Sequence, residues 1–376
     1  MPRSGTPVWY EGGVPPDGAA RPAMVPHLDA VLTHLGDRAT APLLIQGDAA
    51  SVLRALPDGC LDMCITSPPY WGQRQYAEDG IGLERRWRTY VDALVEVFEQ
   101  VHRVLVPTGS LWLNLGDAYR NKALLGLPWR VALALVDEGG WILRNDVVWH
   151  KVKGGPDQSR DKLRNVHEYV FHLVKQRTGY HYDVDAIRNA PRKARVENGA
   201  VVSATGVSGV RYRRQIELST ALDEAEKRAA LETLDATLAE VAAGRLSDFR
   251  MVIRGQQRTT HSDAARISGR ARELRDRGHY VLRYHPRGAK PGDVWEIMPE
   301  DTQGRTRHFA PFPADLCRIP LLATCPPDGV VLDPFAGTGT TGLVAAQLGR
   351  RFVGIDLSPE YLDIARTRLG EHAENP

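Results

Sequence analysis

The stretch "GVVLDPFAGTGTTGLVAAQLGRRFVGIDLSPEYLDIARTRL", residues 329–369, constrains the fold more than any other. It reads as strand, glycine loop, helix, strand, helix. Gly337 and Gly339 follow directly on an apolar strand and precede a helix start. Glycines there let the backbone approach a ligand closely, and the free N–H groups of the helix start face it. Asp356, seventeen residues beyond Gly339, stands at the end of the next strand, where a carboxylate can accept from both hydroxyls of a ribose. Gly337, Gly339 and Gly342 also satisfy G-x-G-x-x-G, so a nicotinamide dinucleotide is a second reading of the ligand. Only about fifteen residues follow the second strand before its helix runs out, so the remaining strands are expected upstream. Asp333, Pro334 and Phe335 precede the glycines. An acid at that strand tip would repel a pyrophosphate but can bind an ammonium, which suits the zwitterionic methionine part of S-adenosylmethionine.

Upstream, short β-rich runs do alternate with helical periods. "PLLIQGD" reads as a strand, "ASVLRALPDG" as a short helix and "LDMCITS" as a strand. Helix "YVDALVEVFEQVHRVL", strand "SLWLNLGD", helix "LPWRVALALVDEG", and strands "WILRNDVVWHK" and "EYVFHLVK" follow. Alternation of this kind predicts a mostly parallel sheet with helices on both faces. It fails after about Arg177 and returns near "DVWEI" (Asp293 to Ile297). Between them runs one long helical pattern, "TALDEAEKRAALETLDATLAEVAAG", with Leu222, Ala229, Leu231, Leu234, Leu238 and Val241 on one face. It spans too few heptads for a coiled coil and reads as a packed helix. Residues Arg188 to Lys290 carry 21 Lys and Arg against 12 Asp and Glu, an excess of nine in a chain of net charge +2. A basic insert on an otherwise acidic body suggests a polyanion partner. The 376 residues include no apolar run long enough for a membrane span and no signal-peptide pattern, so a cytoplasmic protein is expected. Cys60, Cys64, Cys317 and Cys325 show neither zinc-type pairs nor a secreted disulfide framework, so no metal site is expected.

Residues 66–71 read "TSPPYW". Two prolines remove two backbone donors and cannot continue a central strand. With "DPFAGTGTT", "RHFAPFP" (Arg307 to Pro313) and "VVWHKVKGGPDQSRDKLRNVHEYVFHLVK", in that arrangement along the chain, this sequence resembles the amino-group DNA methyltransferases of the β arrangement. The likeness covers roughly Leu43 to Lys175 and Gly292 to Leu369. It implies an α/β fold, circularly permuted and Rossmann-like, with a mostly parallel seven-stranded sheet and an inserted, partly helical target-recognition region. The expected organisation is a tail (1–26), a catalytic part (27–180), the insert (181–290) and a cofactor-binding part (291–376). The cofactor the resemblance implies is S-adenosylmethionine, with Asp333, Pro334, Phe335, Gly337, Thr338, Gly339, Thr340, Asp356, Phe309, Pro311 and Thr66 expected around it. The catalytic tetrapeptide it implies is Ser67, Pro68, Pro69 and Tyr70. A strand that stops at two prolines delivers Ser67 to the carboxyl edge of the sheet, with carbonyls pointing outward. An exocyclic base amine is a poor nucleophile because its lone pair is delocalised. Accepting both its hydrogens, at the Ser67 hydroxyl and the Pro68 carbonyl, would free that pair to attack a sulfonium methyl. Tyr70 could stack on the base once it is extruded.

Within the family, serine at the first position of the tetrapeptide goes mainly with N4 methylation of cytosine; N6 methylation of adenine is the alternative. C5 methylation needs a thiolate, usually from a Pro-Cys pair, and none of the four cysteines follows a proline. In the insert, Arg211, Arg213, Arg214, Arg270, Arg272 and Arg283 are the candidate contacts to double-stranded DNA. Trp71 is expected to pack, and Asp48 either helps form the pocket or caps the helix after it. A cognate restriction endonuclease is a candidate partner whose presence the sequence does not decide, and the oligomeric state stays between monomer and dimer. An RNA or protein methyltransferase and a silent DNA-binding protein are the competing functional readings.

Overall fold

The computed structural model describes residues 8–10, 31, 33, 35–36, 42–72, 80–153, 159–197, 199–255, 269–299 and 313–374. The chain divides into two compact units, 1–183 with 292–376, and 184–291. In the first, β1 (Val8–Tyr10), β2 (Leu43–Gln46), β3 (Leu61–Thr66), β4 (Leu105–Leu115), β5 (Ile142–His150), β6 (His167–Val174), β7 (Val294–Glu296), β8 (Val330–Asp333) and β9 (Arg351–Asp356) form one sheet. Their order is β1-β2-β9-β8-β3-β4-β6-β5-β7. Every neighbouring pair is parallel except β4 with β6 and β6 with β5.

The sheet thus has nine described strands rather than the seven expected. The extra pairings are at its edges. Val8, Trp9 and Tyr10 lie in the stretch expected to be a tail, yet they pair with Leu43, Leu44 and Ile45. Three residues of high β propensity are enough to cover the otherwise open edge of β2. At the other margin Val294–Glu296 pairs with Val148–His150. The reversed β6 explains a gap in the helix-strand alternation. An antiparallel neighbour needs only a loop, so nothing helical is required between His150 and His167.

Helices cover both faces. On one lie α1 (Ala49–Ala55), α2 (Trp87–Val104) and α3 (Leu127–Asp137), whose Leu53, Leu94, Phe98, Val101, Val131 and Leu135 are fully buried in a common core. The α2 positions recur at three and four residues, so one stripe faces the sheet. Asp48 caps α1, its Oδ1 accepting from Ser51 N at 2.9 Å. On the other face lie α4 (Ala314–Thr324), α5 (Thr340–Gln347) and α6 (Pro359–Glu374), with Leu321, Val344 and Leu362 in a second core. Trp71 is buried as expected, its Nε1 donating to the Glu84 carbonyl at 2.8 Å. Cys64 is completely buried in β3.

The second unit has its own core of Tyr212, Ile216, Leu222, Ala230, Leu234, Phe249, Met251 and Ile253. Strand Asp248–Ile253 pairs antiparallel with His279–Tyr284, and the long helix Glu224–Ala242 packs on that hairpin. Asp223 and Glu226 form a capping box that starts the helix after Leu222. Its buried positions are Ala230, Leu234 and Thr237; Ala229, expected on that face, is exposed. The hairpin meets a narrower stripe than the apolar pattern offers.

Candidate active site at the carboxyl edge

Because β3, β4, β5, β8 and β9 run parallel, they all end at one edge of the sheet, and the reversed β6 begins there. This single fact gathers Ser67, Asn114, Lys151, Glu168, Asp333 and Asp356 from six positions in the chain. Cys64 is in register with Leu332 and Leu111, so β8, β3 and β4 reach the edge together. The Thr66 hydroxyl donates to Asp333 Oδ1 at 2.6 Å, joining the proline corner to the glycine loop.

At the corner, Ser67 is half-buried. Its Oγ lies 3.2 Å from the Tyr70 hydroxyl and accepts from Asn114 Nδ2 at 3.2 Å. Tyr70 in turn donates to Glu168 Oε2 at 2.7 Å and accepts from Asn114 Nδ2 at 2.8 Å. Asn114 Nδ2 also reaches Glu168 Oε2 at 3.0 Å, and Lys151 Nζ bonds Glu168 Oε1. The Tyr70 ring lies against Gly116, where a Cβ would sit 2.7 Å from Cε2. Burial, reinforced by the Glu168 charge, holds the Tyr70 phenol well above its usual range. Pro68 is buried in the corner. The expectation of outward, free carbonyls needs one correction: the Pro69 carbonyl accepts from the Tyr90 hydroxyl at 3.0 Å. That bond pins the corner to α2.

Across Thr66 lies the glycine loop. Asp333 is completely buried, and its oxygens receive the Thr66 and Thr341 hydroxyls, each at 2.6 Å, and the Phe335 N–H at 3.1 Å. Burial raises its carboxyl to about 6. These three bonds tie Asp333 to the proline corner and to the start of α5, so it anchors the loop. Thr338 and Thr340 are buried also. Arg368 from α6 donates to the Thr338 carbonyl and hydroxyl, both at 2.9 Å, and approaches Thr340 Oγ1 at 3.4 Å. Asp356 is half-buried, its Oδ2 accepting from Gly337 N at 2.8 Å and Oδ1 from Ser358 N at 2.9 Å; burial raises its carboxyl. Phe335 and Gly337 are half-buried beside it, after a buried Pro334. Phe309 and Pro311 lie outside the described residues.

A nucleoside cofactor fits this loop. Gly337 has φ +50° with open space where a Cβ would stand, and Gly339, at φ +76°, starts α5 with no side-chain cap. A carboxylate with lone pairs to spare stands beside it at Asp356. The strand order also answers the dinucleotide alternative, since β2 and β3 precede the loop in the chain and flank β9 and β8 in the sheet.

Asn114, Lys151 and Glu168 were not singled out in the sequence. The signal for Asn114 and Glu168 is a polar residue inside an apolar strand, "LWLNL" and "HEYVF", while Lys151 follows directly on the strand ending at His150. That signal names no partner, because only the reversal of β6 brings its first residues to this edge. The arginines of the insert all lie in the second unit. Arg211, Arg214, Arg270 and Arg272 are exposed; Arg213 pairs with Asp235, and Arg283 lies 3.5 Å from Glu240.

A sheet of this order, with a glycine loop and a proline corner side by side, is the fold of an S-adenosylmethionine-dependent methyltransferase. The family model N6_N4_Mtase, described as DNA methylase, matches residues 61–367, and the chain belongs to this family of DNA amino-methyltransferases. The type II methyltransferase M.SfiI of Streptomyces fimbriatus is 35% identical, over 85% of this chain and 89% of that one. M.Cfr9I of Citrobacter freundii is 31% identical over 87% of each. Among solved structures, the PvuII DNA methyltransferase (cytosine-N4-specific) superposes with a TM-score of 0.53 at 18% identity, covering 88% of this chain and 89% of that one. The fold is therefore shared at low sequence identity. No described helix is long and apolar enough to cross a membrane.

Proposed function

We propose that the protein methylates the exocyclic N4 amine of cytosine at a specific site in double-stranded DNA, acting in the cytoplasm beside a cognate restriction endonuclease. The observation that carries this reading is the Thr66 to Asp333 bond of 2.6 Å, which sets the SPPY corner and the glycine loop at adjacent strand ends. S-adenosylmethionine supplies an electrophilic methyl group. Ser67 Oγ and the Pro68 carbonyl accept the two hydrogens of the extruded amine, so that its lone pair turns toward that methyl. Tyr70, its ring oriented by the Glu168 and Asn114 bonds, stacks on the base. Gly337, Phe335 and Asp356 hold the nucleoside, and Asp333 with Thr66 holds the loop. Serine at position 67 favours cytosine, following the tendency of the family, over the adenine alternative.

The second unit is the target-recognition region in this reading. Its exposed Arg211, Arg214, Arg270 and Arg272 contact phosphates and base edges. The relatives are type II methyltransferases by name, which supports a restriction partner. One experiment tests the whole: DNA is incubated with the protein and labelled S-adenosylmethionine, then digested to nucleosides. N4-methylcytosine is expected. N6-methyladenine would overturn the choice of base, and label found only in RNA or protein would overturn the substrate.

A further inference from the structure

The corner holds more hydrogen-bonding machinery than positioning an amine requires. We propose that Glu168 is the proton acceptor of the methyl transfer, reached from Ser67 through Tyr70, with Asn114 fixing the direction of the chain. This rests on the reading of Ser67 as the group that meets the amine.

The direction follows from counting protons. Tyr70 has one, and it lies 2.7 Å from a carboxylate oxygen paired with Lys151, so Tyr70 donates to Glu168. Asn114 Nδ2, with two protons to give, lies within reach of all three oxygens, at 3.2, 2.8 and 3.0 Å, and its buried Oδ1 has no partner. The reverse amide orientation would set an oxygen against a carboxylate and two hydroxyl oxygens. Both neighbours of Ser67 are thereby fixed: Asn114 Nδ2 cannot accept from it, and Tyr70 has no proton left to give. The Ser67 hydroxyl therefore donates inward to Tyr70, which leaves one Oγ lone pair for the substrate.

The step balances. The amine nitrogen bonds the methyl carbon as the carbon–sulfur bond breaks and its electron pair stays on sulfur. The nitrogen, now cationic, gives a proton to Ser67 Oγ; the Ser67 proton moves to Tyr70 Oη and the Tyr70 proton to Glu168 Oε2. Serine and tyrosine end as they began, and Glu168 becomes the acid. Tyr70, whose phenol is held neutral by burial, can pass a proton only by receiving one. Asp117 is the other acid near this end of β4, but it is committed elsewhere. Its oxygens accept the backbone N–H groups of Ala118, Gly126 and Leu127. Glu168 side-chain exposure is 10% and that of Lys151 is 28%, so the chain leads outward toward solvent.

The test uses the whole protein in single-turnover methylation of DNA, with cofactor and DNA affinities measured separately. Tyr70→Phe and Glu168→Gln are each expected to slow transfer by about 10²-fold with affinities unchanged. The double variant is expected to be no slower than the slower single one, and the solvent deuterium isotope effect of the wild type is expected to vanish in both. Tyr70→Phe removes one oxygen and keeps both the ring and the Lys151–Glu168 pair, so it decides the matter even if Glu168→Gln fails to fold. Wild-type rates in Tyr70→Phe, or losses that multiply in the double variant, would overturn the relay alone. A wild type that makes N6-methyladenine overturns only the choice of base, because the relay serves either amine. A wild type that methylates neither amine overturns both proposals.

Discussion

The two loops that meet at the carboxyl edge are built on opposite plans. The proline corner is stiff in its backbone, yet its polar groups end in the half-buried Ser67 and a buried Asn114 Oδ1 that nothing satisfies. The glycine loop is permissive in its backbone, yet Asp333 is filled on both oxygens by Thr66, Thr341 and Phe335. In one, rigidity comes from covalent rings and the side chains are left for chemistry. In the other, side chains supply the rigidity and the backbone is left for the ligand. The contrast predicts that damage at the corner appears as lost rate, and damage at the loop as lost stability.

Four measurements would break or sharpen that contrast. Ser67→Ala is expected to lower the single-turnover rate by about 10³-fold with unchanged stability and cofactor affinity, read from quenched-flow kinetics and calorimetry. A matching loss of cofactor affinity would erase the distinction between the loops. Asp333→Ala leaves two hydroxyls and an N–H without an acceptor at a buried site, and is expected to cost about 3 kcal/mol in urea unfolding. The third measurement is the pH dependence of stability. Asp333 is raised from 3.8 to about 6, so its contribution is greatest at low pH and is lost as pH rises through that window. His172, buried on Trp112 and near Ser110, is lowered from 6.5 to about 3 by burial and by Arg144, so its contribution is lost as pH falls from 6.5 toward 3. The two oppose each other between pH 4 and 6, each by about 1.4 kcal/mol per pH unit at most. Relative to wild type, Asp333→Asn should make stability climb with pH there, and His172→Gln should make it decline. The smallest effect belongs to the second unit: Arg211→Ala with Arg214→Ala should weaken DNA binding by about 1 kcal/mol per residue and flatten its salt dependence.

Much of this edge was legible in the residues. Apolar runs ending in "TSPPY" and "LDPFAGTG" announce strands that stop at a site, and their parallel direction follows from the helices between them. What the pattern could not supply was a partner for each side chain. Asp333 reads as a ligand-binding acid, but nothing in the pattern names Thr66 and Thr341, 267 residues before it and 8 after it, as the hydroxyls on its oxygens. Tyr70 reads as a ring to stack on a base, and nothing in the pattern shows that its hydroxyl belongs to a network with Glu168 and Asn114. Glu168 could not be assigned because a strand's direction is set by its neighbours, and β6 is the one reversed strand of the nine described. The edge strand Val8–Tyr10 was hidden by its short length amid Gly and Pro.

The pairing of β3 with β8 also has a price in time. Met63 and Cys64 leave the ribosome long before their partners Val331 and Leu332 exist. Through most of translation the strand "LDMCIT" has β4 on one side and an open hydrogen-bonding edge on the other, an apolar template for misassociation. A polypeptide interrupted before Val330 would keep that edge bare. Nascent and truncated chains of this protein are accordingly the forms that should clump and call on chaperones, whatever the stability of the finished enzyme.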